Sequence, residues 1–284
     1  MSPEPVPLGT LRWHKTLWGA LGSNSPHATM AEAIPAVAAE GWDGVVYATV
    51  SERFDPDAGS LEELSERCAD AGLDVVVMVH TWGTAADEHL RQFDAVVQRA
   101  AAVRPRHIVA QCGLDAFTPS ERSHFFAHAL EVERACGVRI AHETHRMRPL
   151  FSPWATRDVL GEFPDLWLAL DLSHWVVVAE RLLADGLDIV AAAAARTVHL
   201  DARVGHEEGP QVPDPADPQW ATQVEWFTDT WRRVVTAAPG PELVVVPEYG
   251  PPPYLQTVPF DGTPVTDLWA LCRRERDRLR AALI

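Results

Sequence analysis

Eight short apolar runs, each followed by an amphipathic stretch, set the strongest limit on what this chain can become. They read "LRWHKTLW" (11–18), "GVVYATV" (44–50), "DVVVMVH" (74–80), "HIVAQCG" (107–113), "VRIAHET" (138–144), "WLALDLSH" (167–174), "TVHLDAR" (197–203) and "LVVVPEYG" (243–250). Nearly continuous apolar strands that alternate with helices are what a parallel sheet covered on both faces requires. Successive runs start about 30 residues apart through the seventh, the spacing of a (β/α)8 barrel of roughly 250 residues. The fold class expected is therefore α/β, a single (β/α)8 TIM barrel, with residues 1–284 as one domain because no linker-like composition divides them.

The stretches between the runs carry helix signals. "SLEELSERCADAGLD" offers Ser60 as an N-cap, Glu63 three residues later and Gly72 past the end. "TMAEAIPAVAAEGWDG" stops at Gly41, and "SERSHFFAHALEVERACGV" repeats the scheme. The seventh unit is longer by "RVGHEEGPQVPDPADPQW", a Pro-rich stretch expected to form an ordered loop over the barrel mouth. A doubly wound open sheet is the alternative, but "GALGSNSPH" after the first run lacks the Gly-rich turn that would hold a dinucleotide.

Charge narrows the partners. With 24 basic against 40 acidic residues, a net of −16, the chain repels phosphate backbones, so no nucleic acid is expected. No apolar run approaches the roughly 18 residues of a membrane span, and "MSPEPVPLGT" lacks the pattern of a signal peptide. A soluble, cytoplasmic protein without a membrane partner is expected. Cys68, Cys112, Cys136 and Cys272 lie far apart and read as reduced thiols, mostly buried.

In such barrels the chemistry gathers at the C-terminal ends of the strands. Reading off those ends gives Glu143 from the fifth run, Asp171 from the sixth, His199 from the seventh and Glu248 from the eighth. Three carboxylates and an imidazole suit one divalent ion, Mn²⁺ first, with Mg²⁺, Co²⁺ or Zn²⁺ as alternatives. Any one of these residues taken alone reads equally as a helix cap or an ion-pair partner.

The phrases "EGWDGV", "HETHR", "DLSHW", "HLDARVGHEEGPQVPDP" and "PEYGPPPY" make the chain resemble the xylose isomerase-like TIM-barrel superfamily of sugar phosphate isomerases and epimerases, in particular its uncharacterised members. The resemblance implies that Glu143, Asp171, His199 and Glu248 bind the metal. It places His174 and Arg203 near substrate oxygens, with Arg203 alternatively pinning the loop through Glu207 or Glu208. His145 is a candidate acid or base, and Arg146 an anion clamp. His80 and Trp18 are candidate pocket residues. The second run departs from the pattern, with Val46 where relatives often carry Glu. Strand three offers His80, but Gln111 and Cys112 at the fourth run make the three-zinc cluster of endonuclease IV unexpected.

The activity implied is a metal-dependent isomerase or epimerase of a small carbohydrate or polyol, working through a metal-bound enediolate, with Glu143 and Glu248 as the proton-transfer pair. Elimination by a dehydratase or a 3-keto-glycoside deglycosidase, with His145 as acid, is the alternative. A noncatalytic polyol-binding barrel is the third reading. A homo-oligomer is possible on the same resemblance. His89, His107, His124 and His128 and the run "RRERDRLR" at 273–280 read as structural, the latter as a solvated helix face.

Overall fold

The computed structural model describes residues 10–22, 25–54 and 59–283. The segment 1–9, read above for targeting, and residues 23 and 24 of "GALGSNSPH" lie outside the described residues. The strands are β1 (Thr10–Thr16), β2 (Gly44–Ala48), β3 (Asp74–His80), β4 (His107–Gln111), β5 (Ile140–Glu143), β6 (Trp167–Leu170), β7 (Thr197–Asp201) and β8 (Glu242–Val246). All pair in parallel, and β8 returns to β1 to close the barrel. The α/β barrel expected from the eight runs is the fold observed.

Strand period explains the continuous apolar runs. Val46, Val76, Met78, Val109 and Val244 pack together along the axis, whereas Val45, Val77, Ile108 and Val245 join the layer between sheet and helices. Both faces of these strands are thus buried, so their runs lack the polar alternation of a half-exposed sheet.

Around the sheet lie α1 (Met30–Ala39), α2 (Ser51–Phe54), α3 (Leu61–Ala71), α4 (Ala86–Ala102), α5 (Pro119–Cys136), α6 (Pro153–Glu162), α7 (Leu172–Ala179), α8 (Leu187–Ala194), α9 (Ala221–Ala237) and α10 (Leu268–Leu283). Ser60 caps α3 by accepting from the Glu63 N–H, and Gly72 ends it at φ 69°. Thr118 and Glu121 form a reciprocal capping box on α5.

Three local findings differ from the sequence reading. The sixth apolar run continues to His174, but the strand stops at Leu170, where Asp171 accepts the Ser173 N–H and starts α7 directly after β6. In β7 the register shifts, so that Leu168 pairs with Thr197 and Ala169 with His199. The unpaired Val198 joins the barrel core, Leu200 packs outward, and His199 therefore sits in mid-strand with Asp201 as the last residue. Finally, "RRERDRLR" is not merely a solvated face. Glu275 and Arg276 are buried; Glu275 accepts from Arg278 and from the Tyr249 hydroxyl, and Arg276 donates to the Glu40 carbonyl.

Candidate active site

Glu143 ends β5 with its side chain 1% exposed. Gln111, at the end of β4, donates from Nε2 to Glu143 Oε2 at 2.7 Å, while Oε1 has no partner. Asp171 is fixed on all sides: Oδ1 takes the Ser173 N–H at 2.8 Å, Oδ2 meets Arg203, and the Thr144 hydroxyl bridges its backbone. On β7, His199 lies between His107, with Nδ1 2.9 Å from His107 Nε2, and Asp201, with Nε2 3.0 Å from Oδ1. The Asp201 Oδ2 is buried and unpartnered. Glu248, two residues beyond β8, reaches Arg203 Nη1 at 3.2 Å.

Two sets of potential ligand atoms lie within 4.8 Å of one another among the described residues: Glu143 with Asp201 and Glu248, and Glu143 with His145 and His174. Of the four ligands read from the sequence, Glu143 and Glu248 come together. Asp171 and His199 stand beside them, joined through Arg203 and Asp201 respectively. Asp201, two residues after His199 and on the same strand face, was not among the residues read from the sequence.

Arg203 is 1% exposed and pairs with Asp171 and Glu248, not with Glu207 or Glu208. Its Nη2 also lies 3.0 Å from His174 Nε2. His174 is fully buried at the start of α7, against the ring of His145 at 3.9 Å. Burial first, then the surrounding cations, pushes His145 down to about 3 and His174 well below the ordinary imidazole range, so both are neutral. His80 ends β3, stacks on Trp82 and is pushed down to about 4 by burial and by Arg148. Arg146 lies over the Tyr254 ring at 5.2 Å. His142, by contrast, points away from the site into Phe93, Phe125 and Phe126.

These side chains border a cavity of about 170 Å³ that Glu248, Arg203, His145, Gln111, His80, Trp18 and Tyr254 help to line. Tyr254 and Gln111 were not singled out in the sequence. Trp18 sits edge-on to Tyr254 at 4.9 Å and over Gly250, where a β-carbon would collide with the indole. The long loop after β7 is fastened here too: Gln211 donates to the Gly250 carbonyl at 3.1 Å and accepts its N–H at 2.8 Å.

Residues 34–246 match the model of the xylose isomerase-like TIM barrel. The chain belongs to this family. Among solved structures, the barrel is similar to D-allulose 3-epimerase from Methylomonas sp., at 14% identity and TM-score 0.63, with 97% of this chain and 99% of that chain covered. It is also similar to a xylose isomerase-like TIM barrel protein from Mycobacterium smegmatis in complex with magnesium, at 13% identity and TM-score 0.58, over 97% and 98% of the chains. Endonuclease IV from Thermus thermophilus superposes at 17% identity and TM-score 0.57, over 95% and 100%. At these identities the likeness concerns the fold alone. A comparison with curated proteins finds no match.

The chemistry of the donor set in this xylose isomerase-like barrel fits a divalent cation. Glu143, Asp171, Asp201 and Glu248 are each at most 4% exposed, and the buried Arg203 pairs with two of them, Asp171 and Glu248. Burial and mutual repulsion hold Glu143, Asp201 and Glu248 well above the ordinary carboxylate range. Such an excess of buried negative charge is relieved by protons or by a metal ion. The orphaned oxygens of Glu143 and Asp201 are free to bind one. Oxygen ligands about 2.1 Å from an ion lie up to about 4.2 Å apart, close to the spacing already present. Among the described residues no helix is long and apolar enough to cross a membrane.

Proposed function

We propose that this barrel, residues 1–284 acting as one domain, is a divalent-metal-dependent isomerase or epimerase of a small keto-sugar or polyol. The observation that carries the reading is the buried group Glu143, Asp201 and Glu248, of which Glu248 lines the cavity beside Arg203. Glu143, Asp201 and Glu248 would hold the ion, with Asp171 and His199 as the adjoining family ligands; Mn²⁺ is the first choice, ahead of Mg²⁺, Co²⁺ and Zn²⁺. When bound, the ion would supply Lewis-acid polarisation of a carbonyl beside the carbon that loses its proton.

The chain's own residues account for the rest. Glu143 and Glu248 come from β5 and from beyond β8, so they can address one bound carbon from different sides, one taking a proton and the other returning it. Arg203 and His174 would orient hydroxyls, and the loop clasped by Gln211 would exclude water. Elimination has weaker support, because burial keeps His145 neutral, so it stands without the extra proton that a leaving hydroxyl would need. The net charge of −16 opposes a polyanionic partner. A cytoplasmic setting accords with four free thiols.

The test is Mn²⁺-loaded protein with a panel of ketoses in deuterated water, read by NMR. Deuterium at carbon together with a new epimer or isomer supports the proposal. An unsaturated product would transfer the site to the lyases, and binding without exchange would make it a noncatalytic barrel.

A further inference from the structure

The cavity has two unlike sides. Around a closed eight-stranded barrel, β2 and β3 stand across from β6 and β7. The β6–β7 side carries the buried Asp171, Asp201 and Arg203, whereas β2 presents only Val46, Ala48 and Val50 to the cavity, flanked by Thr16 of β1 and by Met78 and His80 of β3. Val46 and Met78 top the barrel core, and an apolar floor there is ordinary packing. Ala48 and Val50 are not explained that way. Both are partly exposed, and they extend the apolar surface past the end of β2 to the mouth. Three successive inward positions, 46, 48 and 50, therefore carry no hydrogen-bonding side chain from floor to rim.

A ligand hydroxyl turned toward the β2 strip would lose water and gain no side-chain partner from it, Thr16 and His80 lying at its edges. A methyl or methylene there would lose nothing and would bury apolar area. Elsewhere around the cavity Gln111, His145, Arg203 and Glu248 provide polar atoms for a carbonyl and its neighbouring hydroxyl. We propose that the substrate is amphipathic: a deoxy-ketose or similarly reduced keto-polyol whose methyl or methylene segment lies against Val46, Ala48 and Val50. The inference rests on the proposed reaction for which end of the ligand reacts, and on the wall alone for which end does not.

The discriminating experiment uses the Mn²⁺-loaded protein with ketohexoses and their 1-deoxy and 6-deoxy counterparts, measuring binding by calorimetry and deuterium exchange by NMR. At least one deoxy sugar is expected to bind on the order of ten- to a hundredfold more tightly than its parent, the range in which an apolar pocket discriminates against an added hydroxyl. Val46→Thr and Ala48→Ser place hydroxyls on the wall with little change of volume and should bring the ratio toward one. Val50→Thr, in the turn beyond β2, is the second variant should either of the first two unfold. Equal or tighter binding of the parent sugars, or a ratio unmoved by the folded variants, overturns the inference. Exchange on parent and deoxy sugars alike would overturn it while leaving the reaction intact. Selective binding of a deoxy sugar without exchange would uphold it while removing the reaction, and neither binding nor exchange would end both.

Discussion

His107, the first residue of β4, places Nε2 2.9 Å from Nδ1 of His199 across the barrel axis, joining residues 92 positions apart. Both rings are buried, and the other nitrogen of His199 faces Asp201. One proton is shared in the His107–His199 contact, and either imidazole can donate it. While His199 Nε2–H points at Asp201, His107 serves as donor to Nδ1. If His199 gives its Nε2 lone pair to a metal, the proton moves to Nδ1 and His107 accepts. His107→Leu is expected to weaken Mn²⁺ binding about ten- to a hundredfold with the far-UV dichroism unchanged, the usual loss when the partner of a ligating histidine is removed. His107→Gln, which keeps a polar partner, should recover part of the affinity. Calorimetric titration of the metal decides, and equal affinities in all three proteins would remove His199 from the ligand set.

Glu143→Gln and Glu248→Gln should each lower turnover by about 100- to 10,000-fold, the contribution of a positioned acid or base. The metal-free variants should also melt a few degrees higher than the metal-free parent. Because Glu143 and Glu248 titrate above their ordinary value, the folded parent holds protons that the unfolded chain releases, and its stability falls as pH rises above about 4.5. The advantage of the Gln variants should therefore widen between mild acid and neutrality, as thermal melts across that interval would reveal. Melting points that fall in both variants at neutral pH would contradict the charge argument.

Asp201→Asn separates the two possible ligand sets. With Asp201 coordinating directly, the variant should bind Mn²⁺ at least about tenfold more weakly. With His199 as the only ligand from β7, the loss should be smaller, because residue 201 then supplies no donor atom to the ion. Metal content after dialysis is the simplest readout.

His142 tests burial away from the site. Burial among phenylalanines pushes it from 6.5 down to about 4. The unfolded chain therefore binds a proton that the folded chain refuses in this interval, and stability is lost as pH falls from 6.5 toward 4. The depression corresponds to about 3 kcal/mol at 1.36 kcal/mol per tenfold change. His142→Leu should flatten the acid limb of the stability curve by about that amount, as denaturant titrations at the two ends of the interval would measure. An unchanged limb would show that His142 is not kept neutral.

Much of the fold was legible because its causes are local. Continuous apolar runs mark strands buried on both sides, and Ser60, Thr118, Gly72 and Gly137 punctuate helices by interactions spanning only a few residues. The site was legible at Glu143 and Glu248, which stand next to the ends of their runs. Asp201 was not singled out, although it lies two residues after His199 on the same face; what the sequence does not show is that its carboxylate reaches Glu143 and Glu248, which come from other strands. Likewise Gln211, in a loop whose sequence is mainly Pro, Gly and Asp, has no local signal for its paired hydrogen bonds with Gly250. Its partner is 39 residues away.

The indole of Trp18 occupies the space that a side chain on residue 250 would need. The smallest possible enlargement there, one methyl, must dislodge a ring that borders the cavity, yet it touches none of the carboxylates. Position 250 is thus a place where ligand size and reaction chemistry come apart: a family could alter the dimensions of what it admits through a single backbone-hugging atom while its acids and bases stay in place. The shape of this binding chamber is inherited partly from an atom that glycine omits.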